Sequence, residues 1–122
     1  MVQVLVVDDD PLFREIAREL LESEGHAVTV AENGLEALQV PADPEPGLAV
    51  VDMLMPERDG IETIADLQAR WPLIKVIAVS AGARTLEPAL LLRAAKALGA
   101  DATMPKPVER EAFVALVRQL LG

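Results

Sequence analysis

VVDMLMPERDG, Val50 to Gly60, is the stretch that decides the fold. An apolar run, Leu48 to Val51, stops at a carboxylate, Asp52. Met53-Leu54-Met55-Pro56 then lead to the turn pair Asp59-Gly60 and a helical pattern. A short apolar run bounded by turn signals reads as a strand buried on both faces. In an open parallel sheet, ligands bind beyond the carboxyl ends of the strands. Asp52 therefore stands as the last strand residue, with its side chain at the rim of such a crevice.

Other segments repeat this design. Val2 to Val7 (VQVLVV) forms strand β1 and ends at Asp8-Asp9-Asp10. Asp10 is read as the N-cap of a first helix, α1, with Pro11 in its first turn, where a missing N–H costs nothing. Phe13, Ile16, Ala17, Leu20 and Leu21 recur at helical spacing, and Gly25 closes the helix. Ala27 to Ala31 is strand β2, and a short helix α2 runs from Leu35 to Val40, where Pro41 stops it. After ADPEPG (Ala42 to Gly47), a connecting loop by composition, comes β3 with Asp52. Helix α3 turns Ile61, Ile64 and Leu67 inward, and Trp71-Pro72 ends it with the indole as a cap over the helix end. Lys75 to Val79 is β4, leading to Ser80-Ala81-Gly82. Helix α4 begins at Thr85 or Leu86 and ends at Leu98. It is apolar almost all round, as expected of a helix that is buried or faces a partner. Ala102 to Met104 is β5, followed by Pro105-Lys106-Pro107, a pattern that suits a cis Lys106–Pro107 bond. Helix α5 starts at about Glu109, with Phe113, Leu116, Val117 and Leu120 inward. Strands alternating with helices, five of each, give an α/β doubly wound parallel sheet covered on both faces.

The composition narrows the chemistry. At 122 residues the chain is read as one domain, residues 1–122, and 52% hydrophobic residues supply an aliphatic core with only 2% aromatics. A net charge of −9 argues against holding nucleic acid, whose affinity rests on neutralising phosphates. The absence of Cys removes disulfides and thiolate metal sites. No basic leader and no long apolar span precede or interrupt the pattern, so a soluble, cytoplasmic domain without membrane contact is expected. His26, in the α1–β2 turn, is read as a solvated loop residue.

Four strands thus end in polar groups: Asp8 and Asp9, Asp52, Ser80 and Lys106. If these strands lie side by side, three carboxylates, a hydroxyl and an ammonium share one crevice. Clustered carboxylates repel unless a cation lies between them, and an all-oxygen set with few protein ligands suits Mg²⁺ over Ca²⁺. Such a set fits phosphoryl transfer, which depends on positioning and charge neutralisation. Asp52 would be the nucleophile, Lys106 would neutralise phosphoryl charge, and Ser80 would hydrogen-bond a phosphoryl oxygen.

LVVDDDPLFRE, VVDMLMPERDG, VIAVSAGA and GADATMPKPV, in this order and spacing, resemble the receiver domain of two-component response regulators over the whole chain. The resemblance implies a flavodoxin-like sheet of strand order 2-1-3-4-5. It also implies phosphoryl acceptance from a histidine kinase or histidine phosphotransfer protein, with Mg²⁺ as cofactor. By this likeness Asp52 is the phosphoacceptor. Asp8, Asp9, Asp52 and the backbone carbonyl of Leu54 hold the metal, and Ser80 and Lys106 fill the hydroxyl and lysine positions. The domain would then catalyse only its own phosphorylation and dephosphorylation. It would signal to a downstream partner, or to a second copy in a homodimer, through the α4–β5–α5 face. One departure stands out: where many receivers carry an aromatic switch residue, three before the lysine, this chain has Thr103.

Two rival readings exist. A Mg²⁺-dependent aspartyl-phosphate phosphatase or phosphotransferase usually carries a second acid two residues after the nucleophile, and here that position is Leu54. A degenerate receiver, acting as a phosphorylation-independent binding module, should lack one of Asp8, Asp9, Asp52 or Lys106, and none is lacking. The chain stops where a receiver stops, so it is expected to be a stand-alone regulator or part of a longer one.

Overall fold

In the computed structural model, which describes residues 2–53, 60–80, 88–97 and 99–122, strand and helix alternate along the chain. The elements are β1 (Gln3–Val7), α1 (Pro11–Ser23), β2 (Ala27–Ala31), α2 (Gly34–Ala37), β3 (Leu48–Asp52), α3 (Gly60–Arg70), β4 (Lys75–Ser80), α4 (Pro88–Ala97), β5 (Ala102–Pro105) and α5 (Arg110–Leu121). All strand pairs are parallel, in the order β2-β1-β3-β4-β5, so β1 and β3 are neighbours at the point where the order reverses.

The period-two alternation of a strand sorts side chains to opposite faces. Val4, Val6, Leu48, Val50, Ile77, Val79 and Ala102 pack with Phe13, Ala17, Leu20 and Leu21 of α1 and Phe113 and Val117 of α5. Leu5, Val7, Ala49, Val51, Val76 and Ala78 pack on the other side with Ala37, Ile64, Leu67, Trp71 and Ala95. The expected core residues of α3 and α5 take these places, with Ile61, Leu116 and Leu120 partly buried against them.

The helix ends follow the local chemistry. Asp10 caps α1, its carboxylate accepting from the Leu12 N–H at 2.9 Å with Pro11 in the first turn. Both carboxylate oxygens of Glu109 cap α5, accepting from the N–H groups of Glu111 and Ala112. The Lys106–Pro107 bond is cis, as its sequence suggests. The described part of α4 packs against β4, β5 and α3, while Leu90 stays half exposed. The expected start of α4 at Thr85 or Leu86, and its end at Leu98, lie outside the described residues.

Three expectations need correction. Helix α2 is a single turn that ends at Ala37 rather than Val40. The Gln39 N–H bonds the Glu36 carbonyl three residues back, closing the turn, and beyond it the Arg70 guanidinium donates to the carbonyls of Leu38 at 2.7 Å and Val40 at 2.6 Å. Trp71 is more than a cap. It is buried in the core beside Leu67 and Ile74, with the Arg70 guanidinium 4.3 Å from its ring centroid and its Nε1–H directed at the Ala42 carbonyl. His26 is half-buried, and its Nδ1 accepts a hydrogen bond from the Val2 N–H at 3.2 Å, tying the chain start to the α1–β2 turn.

Gly60 sets the start of α3 against the strand that carries Asp52. Its N–H donates to the Met53 carbonyl, and a Cβ there would lie 2.5 Å from the Asp52 carbonyl oxygen and 2.6 Å from the Met53 Cα. Both obstacles are backbone, so the helix or the strand end must shift. Gly60→Ala is expected to cost about 1–3 kcal/mol, the usual range for overpacking. At Gly47 a Cβ would meet side chains alone, a Val2 methyl at 2.5 Å and Leu121 at 4.0 Å, so Gly47→Ala serves as the milder comparison. Equal midpoints for the two variants in urea denaturation would contradict this account.

Candidate functional site

Strand parity decides which polar groups meet. Val4 and Val6, Leu48 and Val50, and Ala102 and Met104 all face α1 and α5. Continuing each row by two residues gives Asp8, Asp52 and Lys106. They converge as that count requires: Lys106 Nζ lies 2.5 Å from Asp8 Oδ2 and 3.6 Å from Asp52 Oδ2. Asp9 joins from the exposed side, and one carboxylate oxygen from each of Asp8, Asp9 and Asp52 falls within 4.8 Å of the others.

Burial sets the electrostatics. Asp8 is fully buried and Asp52 is 5% exposed. Asp8 Oδ1 accepts from the Asp10 N–H at 2.9 Å. Asp8 Oδ2 faces the Lys106 ammonium, and among the described residues no other donor reaches it. Desolvation raises the Asp8 pKa above its ordinary value, and the Asp9 charge adds to that rise. The Lys106 ammonium and the Asp10 N–H oppose it without reversing it. Among the described residues the site thus holds three carboxylates against one ammonium. An all-oxygen set of that kind fits a small, hard divalent cation. The carbonyl of Leu54, expected to complete the set, lies outside the described residues, as do Ala81 and Gly82 after Ser80.

Ser80 is fully buried at the end of β4, one position past the Asp52–Val79 register pair. Its main-chain carbonyl accepts from the Lys106 N–H at 3.0 Å, which fixes the turn that carries the lysine. Thr103 is half-buried on β5, opposite Ala78.

Two neighbours of the site were not singled out by sequence reasoning. Arg14 donates from Nη1 to the Asp8 carbonyl at 2.8 Å, and its Nη2 lies 3.9 Å from Glu32, joining the ends of β1 and β2. Phe13, assigned only to the core, places its ring centroid 4.5 Å from Lys106 Nζ. The available signal was positional: α1 begins directly after the acids, so its first turn must border them.

Comparison with known proteins agrees with this geometry. The profile described as "Response regulator receiver domain" matches residues 4–118. Response regulator MprA of Mycobacterium sp. (strain KMS) is 36% identical over 120 residues, covering 98% of this chain and 50% of that protein, and MprA of Mycobacterium tuberculosis (strain ATCC 25177 / H37Ra) matches to the same extent. The chain therefore spans about half the length of these curated relatives. Among solved structures, a CheY-like receiver domain protein from Methanospirillum hungatei JF-1 is 29% identical with a TM-score of 0.84, over 99% of this chain and 94% of that one. The receiver domain of Francisella response regulator 1452 is 28% identical with a TM-score of 0.82, over 98% and 96%. On the family match, the sequence identity and the shared fold together, this chain belongs to the response regulator receiver domains of two-component systems.

Proposed function

We propose that the domain accepts a phosphoryl group on Asp52 from a histidine kinase or histidine phosphotransfer protein. The observation that carries this reading is the convergence of Asp8, Asp9, Asp52 and Lys106 at one end of the sheet. An Asp52 carboxylate oxygen forms the new bond to phosphorus while the phosphorus–nitrogen bond of the donor imidazole breaks, its electron pair leaving with the nitrogen. Lys106 holds one phosphoryl oxygen and the Ser80 hydroxyl another. Asp8, Asp9, Asp52 and the Leu54 carbonyl would hold Mg²⁺, which supplies charge neutralisation for the transferring group. In this reading the domain catalyses only its own phosphorylation and dephosphorylation, works in the cytoplasm, and signals through the α4–β5–α5 face to a partner or a second copy. With Thr103 in place of an aromatic switch, that face must respond by another route. Among the described residues no helix is long and apolar enough to cross a membrane.

Intact mass after incubation with a small phosphodonor and Mg²⁺ tests the proposal: one phosphoryl group is expected, and an unchanged mass would count against it. The metal has a separate signature. Because the folded state raises the Asp8 pKa, it binds the proton more tightly than the unfolded chain does. Metal-free stability therefore falls as pH climbs from the ordinary value of 3.8 through the raised one, and the penalty is complete above it. At neutral pH, Asp8→Asn is expected to melt higher than the wild type without metal. Saturating Mg²⁺ reverses the order: at ten times its Kd it adds about 1.4 kcal/mol to the wild type and little to the variant. Thermal melts with and without Mg²⁺ check both statements, and an unchanged order would discard the metal assignment.

A further inference from the structure

We infer that Phe13 is a positioning residue for Lys106, its ring holding the ammonium between Asp8 and Asp52 by a cation–π contact. This rests on the reading of Asp52 as phosphoacceptor. Lysine carries its charge on a flexible four-carbon stem, so the chain must restrain both ends for the ammonium to stay in register. The backbone end is fixed by the Lys106 N–H bond to the Ser80 carbonyl. The charged end touches three groups: Asp8 at 2.5 Å, Asp52 at 3.6 Å and the Phe13 ring at 4.5 Å from its centroid. Lys106 is 12% exposed as a side chain and Phe13 is 6% exposed, so the contact is largely sheltered from water, where such an attraction is strongest.

The choice of an aromatic wall has a chemical reason. A third carboxylate there would hydrogen-bond the ammonium and compete with the incoming phosphoryl oxygens. A merely aliphatic wall would leave Asp8 to draw the ammonium away from Asp52. A ring face attracts the cation without accepting a directed hydrogen bond, so the ammonium stays near Asp52 yet free to turn toward a phosphoryl group. Helix α1 is suited to present it, because Asp10 and Pro11 fix its first turn and Phe13 follows within that turn.

Fluorination separates electrostatics from shape. Replacing Phe13 by mono-, di- and trifluorophenylalanine through site-specific incorporation weakens the ring's negative face stepwise at nearly constant volume. The rate of phosphorylation by a small phosphodonor at saturating Mg²⁺ should fall stepwise, by about threefold to tenfold in all, within the range such contacts support. Phe13→Leu should match the end of the series. In the unphosphorylated protein, the Lys106 side-chain methylene protons should resonate upfield through the ring current, and Phe13→Leu should abolish that shift; Lys106→Arg assigns the signals. Equal rates across the fluorinated series would overturn the inference, as would Lys106 signals that Phe13→Leu leaves unmoved. Should the wild type take up no phosphate, the phosphoacceptor reading fails, while the spectroscopic arm still decides whether the ring holds the lysine.

Discussion

Asp52→Asn is expected to take up no phosphoryl group under conditions that phosphorylate the wild type to completion. The amide is nearly isosteric but is a poor nucleophile and cannot form the acyl phosphate, so the loss is one of chemistry rather than of folding. Asp8 and Asp9 lie close by but are not expected to substitute. Asp8 is fully buried and paired with Lys106, and Asp9 stands on the exposed side of the cluster. Removing one carboxylate from a crowded acidic site also relieves repulsion, so the variant should melt no lower than the wild type without metal. Intact mass reads the first effect and a thermal melt the second. A variant that gained phosphate at the wild-type rate would move the acceptor to another residue.

Lys106→Ala is expected to fail in two ways at once. Without the ammonium, the phosphoryl oxygens lose a positive partner in a site sheltered from water, and phosphorylation should slow by roughly a hundredfold or more. The fold suffers as well, because the fully buried Asp8 loses the charge that pairs with it. Breaking a buried pair from one side costs about 3 kcal/mol or more, a large share of the stability of a domain this size. Asp8 limits the damage by taking up a proton, so the variant should be most destabilised at neutral and alkaline pH and recover as the solution is acidified. The double variant Asp8→Asn/Lys106→Ala should recover most of the stability, because neither charge is then stranded. Urea titrations of the four proteins give the coupling directly. Additive effects of the two single changes would mean that the pair contributes nothing as a pair.

Much of this arrangement is written locally in the chain. Strands β1, β3 and β5 are short apolar runs, and the acids or lysine that follow or close them are the ones that meet, so Asp8, Asp9, Asp52 and Lys106 could be picked out before any fold was known. Caps and prolines fixed the starts of α1 and α5 in the same way, through interactions spanning two or three residues. What escaped depends on distant partners. The carbonyls of Leu38 and Val40, beyond the end of α2, are held by the guanidinium of Arg70, some thirty residues downstream. The burial of Trp71 depends on the loop at Ala42, and the role of His26 on the main chain of Val2. The Phe13–Lys106 contact joins the first helix to the last strand; periodicity placed Phe13 inward but could not say what it would face.

The one-way run of the strands has a practical corollary. Asp8, Asp9, Asp52, Ser80 and Lys106 all sit at the exits of the strands, while the α1–β2, α2–β3, α3–β4 and α4–β5 connections gather at their entrances. The molecule thus has a working end and a maintenance end. A grafted peptide, a fluorophore or a pair of new termini placed near Glu45 or Leu73, both exposed at the entrance side, leaves the acids and the lysine undisturbed. The same insertion beside Asp9 or Pro107 would not.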